Sequence, residues 1–452
     1  MEKENKLGTM PISKLIINMS LPIIISMLVQ ALYNIVDSVF VSRVCEQALT
    51  AVSLAFPAQN LMIGLATGTA VGVNALMGRA LGAKDQERAN AVAINGVFLA
   101  VVGFAICAVL ALLFAGPFFR SQTQIDYIVE SGTDYLLVCC CGSLGLFCEI
   151  MFERLLQGTG RSILSMYTQG LGAIVNIVLD PIFIFVLDMG VTGAAVATVI
   201  GQFCGCILAL IFNLKKNEEI HLQFRGFRPN WRLVGNIYAI GLPSVIMVAI
   251  GSVMTFCMNK ILIAYHSAKE TAATAFGIYF KLNSFIFMPV FGLNNGVIPI
   301  VAYNYGAQKK ARIMQTFRIS LTAAACIMVA GTLIFQFFPG LLLSLFEPSE
   351  EMLTIGKTAL RIISLSFPSA AIGIVCSGVF QALGSSFLSM IVSLTRQLFF
   401  LLPIAWLLSL SGRLELVWWA FPLAEIASLT LTIIFFRHIY RRRIVPLAEA
   451  QA

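Results

Sequence analysis

The sequence has little charge. Charged residues make up 12% of its 452 residues, against about a quarter in an average soluble domain. Hydrophobic residues make up 58%, and the mean hydropathy is +0.88. A water-facing fold cannot bury this much apolar surface. The composition therefore excludes a soluble enzyme and indicates that lipid is the solvent for most of the chain.

The sequence also lacks the motifs of common catalytic and nucleotide-driven proteins. No Gly-x-x-x-x-Gly-Lys-Ser/Thr segment is present, so nothing supports ATP-driven transport. The three histidines are scattered, without His-Glu-x-x-His spacing, and no basic stripe with aromatic residues suggests a nucleic-acid partner. Most of the 11 cysteines lie in apolar stretches and are typical of small hydrophobic residues. We expect no enzyme, no cofactor and no cleavable signal peptide.

Long apolar runs, by contrast, follow one another along almost the whole chain. Runs of about 18 or more apolar residues predict membrane-spanning helices. The sequence therefore predicts an all-α integral membrane protein with twelve transmembrane helices. The predicted spans are 15–41, 49–77, 90–115, 127–150, 162–187, 191–213, 234–264, 272–301, 314–338, 353–379, 387–410 and 416–436.

The cations between these runs indicate an orientation. An even number of spans puts both termini on one side of the membrane. Loops on that side and the two terminal segments hold twenty of the 30 Lys and Arg residues, and the opposite loops hold four. Because positively charged loops stay in the cytoplasm, we expect both termini there.

The chain repeats itself at an offset of 221 to 224 residues. The dipeptide at Leu21-Pro22 returns at 242–243, and Gly68 and Gly72 return at Gly292 and Gly296. Six spans precede each return, so the halves run in the same direction. We predict two parallel six-helix lobes related by a pseudo-two-fold axis along the membrane normal. The N-terminal lobe is 1–213, the cytoplasmic linker is 214–233, and the C-terminal lobe with its basic tail is 234–452.

Two acids lie inside spans of the first half, where charge is unfavourable and indicates function. Asp37 follows Tyr33 by one helical turn, and Asp180 follows Asn176 by one turn. Two carboxylates with an amide and a hydroxyl form either a proton site or a site for a small hard cation. The sequence leaves both open, as it does simple ion pairing or helix capping.

The second half does not repeat these acids, since Asp37 aligns with Met258. It carries Lys281, which we expect to line a cavity, and Arg396, which either lies near mid-membrane or pairs with Glu425.

Two further acids, Glu149 and Glu153, lie at the end of the fourth predicted span beside Arg154. A surface ion pair explains them as well as a functional role does. Pro22 and Pro181 are candidate hinges, and a static kink is the alternative for both.

Several segments together resemble the multidrug and toxic compound extrusion (MATE) transporters, in particular their bacterial multidrug efflux branch. The similarity extends over nearly all of the chain. The segments are ALYNIVD at 31–37, GRALGAKD at 78–85, LQGTGR at 156–161, NIVLDP at 176–181 and GVTGAA at 190–195.

This resemblance implies a V-shaped pair of lobes in the bacterial inner membrane. Such a protein exports amphipathic, often cationic drugs or toxic metabolites in exchange for H⁺ or Na⁺ by alternating access. The family's ion site maps onto Asp37, Asn176, Asp180 and Thr198, with Tyr33 nearby, and these first four residues are candidate Na⁺ ligands.

Further expectations concern the cavity and the partners. We expect Gln30, Asn34, Lys281 and Met258 to line the substrate cavity. Besides its small-molecule substrates the protein contacts membrane lipids, and we expect it to function as a monomer. A lipid or lipid-linked sugar flippase on a related scaffold is the alternative function, with a more basic cavity. A major-facilitator transporter fits less well, because 78–88 lacks Asp-x-x-Gly-Arg-Arg.

Overall fold

The computed structural model describes residues 5–264, 269–346 and 349–447, and it is built from helices. The α-helices are α1 (Lys6–Thr9), α2 (Ile12–Ser42), α3 (Glu46–Gly82), α4 (Gln86–Arg120), α5 (Asp126–Cys141), α6 (Leu144–Gly158), α7 (Ser162–Pro181), α8 (Gly190–Lys215), α9 (Trp231–Ile263), α10 (Lys269–Gly306), α11 (Lys310–Phe337), α12 (Pro339–Ser344), α13 (Glu350–Ser364), α14 (Phe367–Ala382), α15 (Ser386–Leu394), α16 (Leu402–Ser409), α17 (Leu414–Trp418) and α18 (Ala420–Ile439). Three π-helical turns, Ile182–Val186, Thr395–Leu401 and Tyr440–Ile444, follow α7, α15 and α18.

In the described ranges, ten helical stretches are long and apolar enough to cross a membrane, and two bent pairs, each counted as one crossing, bring the number to twelve. The stretches Ser386–Ser409 and Leu414–Ile444 each combine two α-helices with a π-helical turn, and α1 and α12 lie outside the crossings. The pair α5 and α6 bends by 45°, and the pair α13 and α14 bends by 50°. The second bend has a local cause, because Pro368 in the first turn of α14 lacks the N–H that would continue α13. The predicted all-α, twelve-span fold is confirmed.

The internal repeat is visible in the turns between helices. Gly160 has φ +90° and Gly384, 224 residues later, has φ +66°. Lys84 and Gln308 are separated by the same offset and have φ 59° and 61°. Left-handed residues of this kind end helices. The turn at Gly384 lies two residues before α15, at the start of the eleventh predicted span.

Glycines bring the two halves into backbone contact. On α3, a Cβ at Gly68 would lie 3.0 Å from the carbonyl oxygen of Gly241 on α9. On α10, a Cβ at Gly296 would lie 3.0 Å from the backbone of Ser20 on α2. The second helix of each half thus packs on the first helix of the other half. The glycine spacing on the second span serves close packing, as such motifs do in membranes.

Polar contacts join the halves at the end where the N-terminal segment packs. The guanidinium of Arg79 donates to the carbonyl of Ala382 through Nε at 2.9 Å and Nη2 at 2.7 Å. Arg312 donates to the carbonyls of Leu7 at 3.1 Å and Met10 at 2.8 Å. Both arginines satisfy carbonyls that helix ends leave free. The halves are therefore held together at this end.

The last residues of α3 and α10 offer a test of this contact. A Cβ at Gly82 would overlap the carbonyl oxygen of Tyr303, and a Cβ at Gly306 would overlap that of Arg79. We expect Gly82→Ala and Gly306→Ala each to lower the free energy of unfolding by about 1–3 kcal/mol, through overpacking. Thermal unfolding of the purified protein in detergent measures the change.

Gly116→Ala and Gly170→Ala are matched controls, because no atom lies within 4 Å of a Cβ at either position. These controls should leave the melting temperature unchanged or raise it. Equal melting temperatures in all four variants would contradict the proposed packing.

Candidate ion site and central cavity

Four side chains predicted as an ion site meet in the first half. The Nδ2 atom of Asn176 lies 3.3 Å from Asp180 Oδ1 and 3.2 Å from Thr198 Oγ1. Asp180 is fully buried, and Asp37, on α2, is 9% exposed. Asp37 is close enough to Asp180 for their charges to interact. The structure therefore brings together residues from α2, α7 and α8.

Three oxygens of this cluster have no hydrogen-bond partner among the described residues. They are Asp37 Oδ1, Asp180 Oδ2 and Asn176 Oδ1, and all three are buried. A buried acceptor without a partner is unfavourable by about 1–3 kcal/mol. A proton on a carboxylate, or a small hard cation bound by carboxylate and amide oxygens, removes this penalty. The residues present fit either ion.

The local sequence explains why the cluster forms on α7. Asn176 and Asp180 are four residues apart and so lie on the same face of the helix. Gly201 on α8 brings the helices together, since a Cβ there would lie 3.3 Å from the Cβ of Asn176.

The two hinge candidates differ. Pro181 ends α7 and is followed directly by the π-helical turn Ile182–Val186, a change of helix type that often marks functional positions. Pro22 lies inside the unbroken α2, where its carbonyl accepts a bond from Ser26 Oγ at 2.9 Å. Both hinge roles remain predictions.

A cavity of about 820 Å³ lies between the two halves. Asn176 and Thr198 form part of its wall, and Asp37 and Asp180 lie behind them. Tyr33 also lines the cavity, one turn before Asp37. The candidate ion site is therefore adjacent to the space in which a ligand would bind.

Of the four residues predicted to line the substrate cavity, one does. Gln30 lines it and accepts a hydrogen bond of 3.3 Å from Gln169. Asn34 is exposed on another face of α2, and Met258 is fully buried among the helices. Lys281 is exposed on α10, with Nζ 6.0 Å from the ring centre of Phe346.

These three placements were wrong for one reason. Successive residues of a helix are rotated by about 100° around its axis. Tyr279 and Phe280 line the cavity, and the next residue, Lys281, points away from it. Depth along a span can be read from the sequence, but the rotation of the helix about its axis depends on tertiary packing.

Sequence reasoning gave too little weight to Glu149 and Glu153. Both line the cavity, are 8% and 9% exposed, and form no surface ion pair with Arg154. The reason is that α6 continues to Gly158, eight residues beyond the predicted end of this span. The signal that could have found them is their four-residue spacing in an apolar segment, which places two acids on one helical face.

The second half gives the cavity a different wall. Arg396 Nη1 lies 3.5 Å from Glu425 Oε2, and both residues line the cavity. Of the two alternatives for Arg396, the structure therefore shows the ion pair. Tyr279, Phe280 and Phe421 lie beside this pair, with the rings of Tyr279 and Phe421 6.0 Å apart. The first-half wall is thus carboxylate-rich, and the second-half wall combines aromatic rings with a neutralised ion pair.

A bundle of membrane-crossing helices whose two halves enclose a cavity with ionisable walls is the architecture of a small-molecule transporter. The family model MatE matches residues 22–182 and again 243–407. The chain belongs to the MatE family. The family resemblance found in the sequence is thereby confirmed, and membership of a transporter family agrees with the expectation that the protein is not an enzyme.

Relatives and solved structures are similar over almost their whole length. The multidrug export protein MepA of Staphylococcus haemolyticus is 25% identical, covering 92% of this chain and 91% of that protein. A structure described as the outward-facing conformation of a multidrug resistance MATE family transporter is 26% identical, with a TM-score of 0.91 and 99% coverage of both chains. A Pyrococcus furiosus MOP superfamily transporter, whose reversed binding-pocket polarity suggested a different function, has the same identity, TM-score and coverage.

The ion pair in the second half generates a stability prediction. The side chain of Glu425 is 8% exposed and that of Arg396 is 32% exposed. Removing the arginine therefore leaves a buried charge, whereas removing the acid leaves a cation that reaches water. We expect Arg396→Gln to lower the free energy of unfolding by about 1–3 kcal/mol and Glu425→Gln by less.

The double variant Arg396→Gln/Glu425→Gln should recover most of the loss, because no unpaired charge remains. Thermal unfolding in detergent of the four proteins completes the cycle. A double variant as unstable as the sum of the single variants would show that the two groups do not interact.

Proposed function

We propose that this protein is an ion-coupled multidrug exporter that exchanges amphipathic cations for H⁺ or Na⁺ by alternating access. The observation that supports this most is the set of three unpartnered, buried oxygens at Asp37, Asp180 and Asn176, directly behind the cavity wall. An ion that binds there alters the charge next to the ligand space. The names of the MepA relatives supply the expectation of multidrug export.

The conformation fits the releasing half of such a cycle. The halves are joined at the end that carries Arg79, Gly82 and the N-terminal segment. With both termini in the cytoplasm, as the loop charges predict, this end is the cytoplasmic one. The similarity to a structure described as outward-facing supports the same assignment. In the proposed cycle, ion binding at Asp37 and Asp180 accompanies release of the bound compound to the outside.

The cavity suits a drug-sized organic cation. Its volume of about 820 Å³ is within the range of roughly 300–1,000 Å³ typical of small-molecule sites. Glu149 and Glu153 supply negative charge on one side, and the aromatic rings of the second half supply a surface for apolar groups and for cations. The wall is not basic, because its two arginines, Arg154 and Arg396, face three acids, namely Glu425 and the two glutamates on α6. The flippase alternative, for which we expect a basic cavity, is therefore less well supported.

The membrane potential is sufficient to drive the exchange. Each net charge that moves across about 100 mV contributes about 2.3 kcal/mol, which corresponds to roughly fifty-fold accumulation per charge with tight coupling. We further propose that the protein works as a monomer among the lipids of the bacterial plasma membrane, with both termini in the cytoplasm.

Isosteric replacement of the two acids tests the coupling site. We expect Asp37→Asn and Asp180→Asn each to abolish ion-driven efflux, because the amide cannot exchange a proton and is a weaker cation ligand. Expression and melting temperature should stay close to those of the wild type. The measurement is efflux of ethidium from proteoliposomes, with a Na⁺ gradient and a pH gradient imposed separately.

Asp134→Asn is the matched control, since Asp134 is exposed on α5 in the same half. Whichever gradient drives wild-type efflux identifies the coupling ion. Undiminished efflux in both Asp37→Asn and Asp180→Asn would exclude this site as the coupling site. In the same liposomes, movement of a fluorescent lipid without ethidium efflux would favour the flippase.

A further inference from the structure

The acids on α6 are separate from the ion site. Glu149 and Glu153 lie four residues apart on one face of the helix, and each is more than nine-tenths buried. Glu153 is bonded to Thr168 on α7, eight residues before Asn176. At 1.5 Å per residue, this separation is about 12 Å along the helix axis. The carboxylate of Glu149 lies at Gly172, one turn before Asn176, so the pair extends along the cavity wall away from the ion site.

The hydrogen bonding at Thr168 fits a protonated Glu153. The hydroxyl oxygen of Thr168 lies 2.8 Å from Glu153 Oε1 and 2.7 Å from the backbone carbonyl of Ser165. A hydroxyl has one proton and cannot donate to both acceptors. If Glu153 carries a proton, its carboxyl group donates to Thr168, and Thr168 donates to Ser165. Glu153, Thr168 and the carbonyl of Ser165 then form an unbroken series of hydrogen bonds with one proton for each bond.

The carboxylate of Glu149 rests in a cradle of bare backbone. A Cβ at Gly205 on α8 would overlap Glu149 Oε1, and a Cβ at Gly172 on α7 would lie 3.5 Å from the same oxygen. Among the described residues no group donates a hydrogen bond to Glu149, although this side chain is 8% exposed and lines the cavity. The site thus has an open acceptor next to the ligand space.

Few other ionisable groups face the pair. On α6 itself Arg154 is adjacent, and its guanidinium donates to Gln157 at 3.1 Å. Tyr33 faces the pair from α2, and Cys204 and Cys206 face it from α8. Among the described residues of α3, α4, α7 and α10, which also pack on α6, we find no ionisable group that faces it. Arg154 carries one positive charge, and two carboxylates with one proton between them carry one negative charge. The cluster is therefore neutral when it holds one proton.

We propose that Glu149 and Glu153 form a second proton site, which holds one proton, on Glu153, while the cavity is empty and releases it to cavity water when an organic cation binds. The identity of the displacing ligand rests on the proposed function, whereas the proton site itself does not. The two carboxylates carry one more negative charge than Arg154 neutralises. A proton neutralises this charge when the cavity is empty, and the ligand cation neutralises it when the ligand is bound. This exchange is separate from ion binding at Asp37 and Asp180.

Infrared difference spectroscopy tests the proton site without transport. Protein carrying Asp37→Asn and Asp180→Asn is reconstituted in lipid, and spectra are recorded between low and high pH. We expect a carbonyl band of a protonated carboxyl group to remain in this background and to disappear on adding Glu153→Gln or Glu149→Gln. Glu130→Gln, at an exposed position on α5, is the control and should leave the band in place.

Variants of Thr168 give a second test of the proton site, which can be carried out even if a glutamate variant fails to fold. Thr168→Val removes the hydroxyl at nearly constant volume, so the band should shift in frequency, whereas Thr168→Ser retains the hydroxyl and should leave it unchanged. A band that responds to neither glutamate substitution nor to Thr168→Val would overturn the proposal.

Proton release on ligand binding links the site to its ligand. Ethidium is added to purified protein in weakly buffered solution with a pH-sensitive dye. In the Asp37→Asn/Asp180→Asn background we expect about one proton released per bound ethidium, by linkage, and none after Glu149→Gln and Glu153→Gln are added. Binding without release in that background would also overturn the proposal. If ethidium does not bind to wild-type protein, the proposed function fails instead, while the infrared result stands.

Discussion

The close approach of two pairs of helices is the contact on which the rest of this structure depends. In lipid, apolar side chains gain little by facing one another, so helices associate through close packing and hydrogen bonds. Bare backbone at Gly68 and Gly72 lets α3 lie on α9, and bare backbone at Gly292 and Gly296 lets α10 lie on α2. These four helices form the main contact between the halves, and residues of all four also line the central cavity.

Polar groups in the wall of that space are arranged differently in the two halves. The first half holds four buried acids, and the three described oxygens at Asp37, Asp180 and Asn176 have no partner. In the second half, Glu425 is paired with Arg396 and surrounded by aromatic rings. Unpaired groups of this kind are unfavourable in a membrane, and they are the basis of the ion exchange proposed above. In the proposed function, the first half thus provides the ion-binding groups, and the second half provides an aromatic surface for the ligand.

Much of the fold could be predicted because its signals are local. Apolar runs predicted the twelve spans, and the matching turns at Gly160 and Gly384 agree with the predicted repeat. The cluster of Asn176, Asp180 and Thr198 was predictable in part from helical spacing and in part from the family resemblance. Neither the helical spacing nor the family resemblance depends on knowing how each helix is rotated in the bundle.

The errors have physical causes that lie outside local sequence. Lys281 and Asn34 are at the expected depth but on the wrong face, because tertiary packing sets the rotation of each helix. The role of Glu149 was left open because hydropathy ended its predicted span at 150, whereas α6 continues to Gly158. Hydropathy detects where a crossing lies but not whether it is straight.

The seam at Arg79 has a consequence for how the two halves separate. Its guanidinium and the carbonyl of Ala382 both lie at a helix end, with Gly384 beside them. When such a surface parts, water can take over each hydrogen bond almost without loss. Parting this seam therefore leaves few polar groups without a partner, which is what the alternating access proposed above requires of a contact that must open and close.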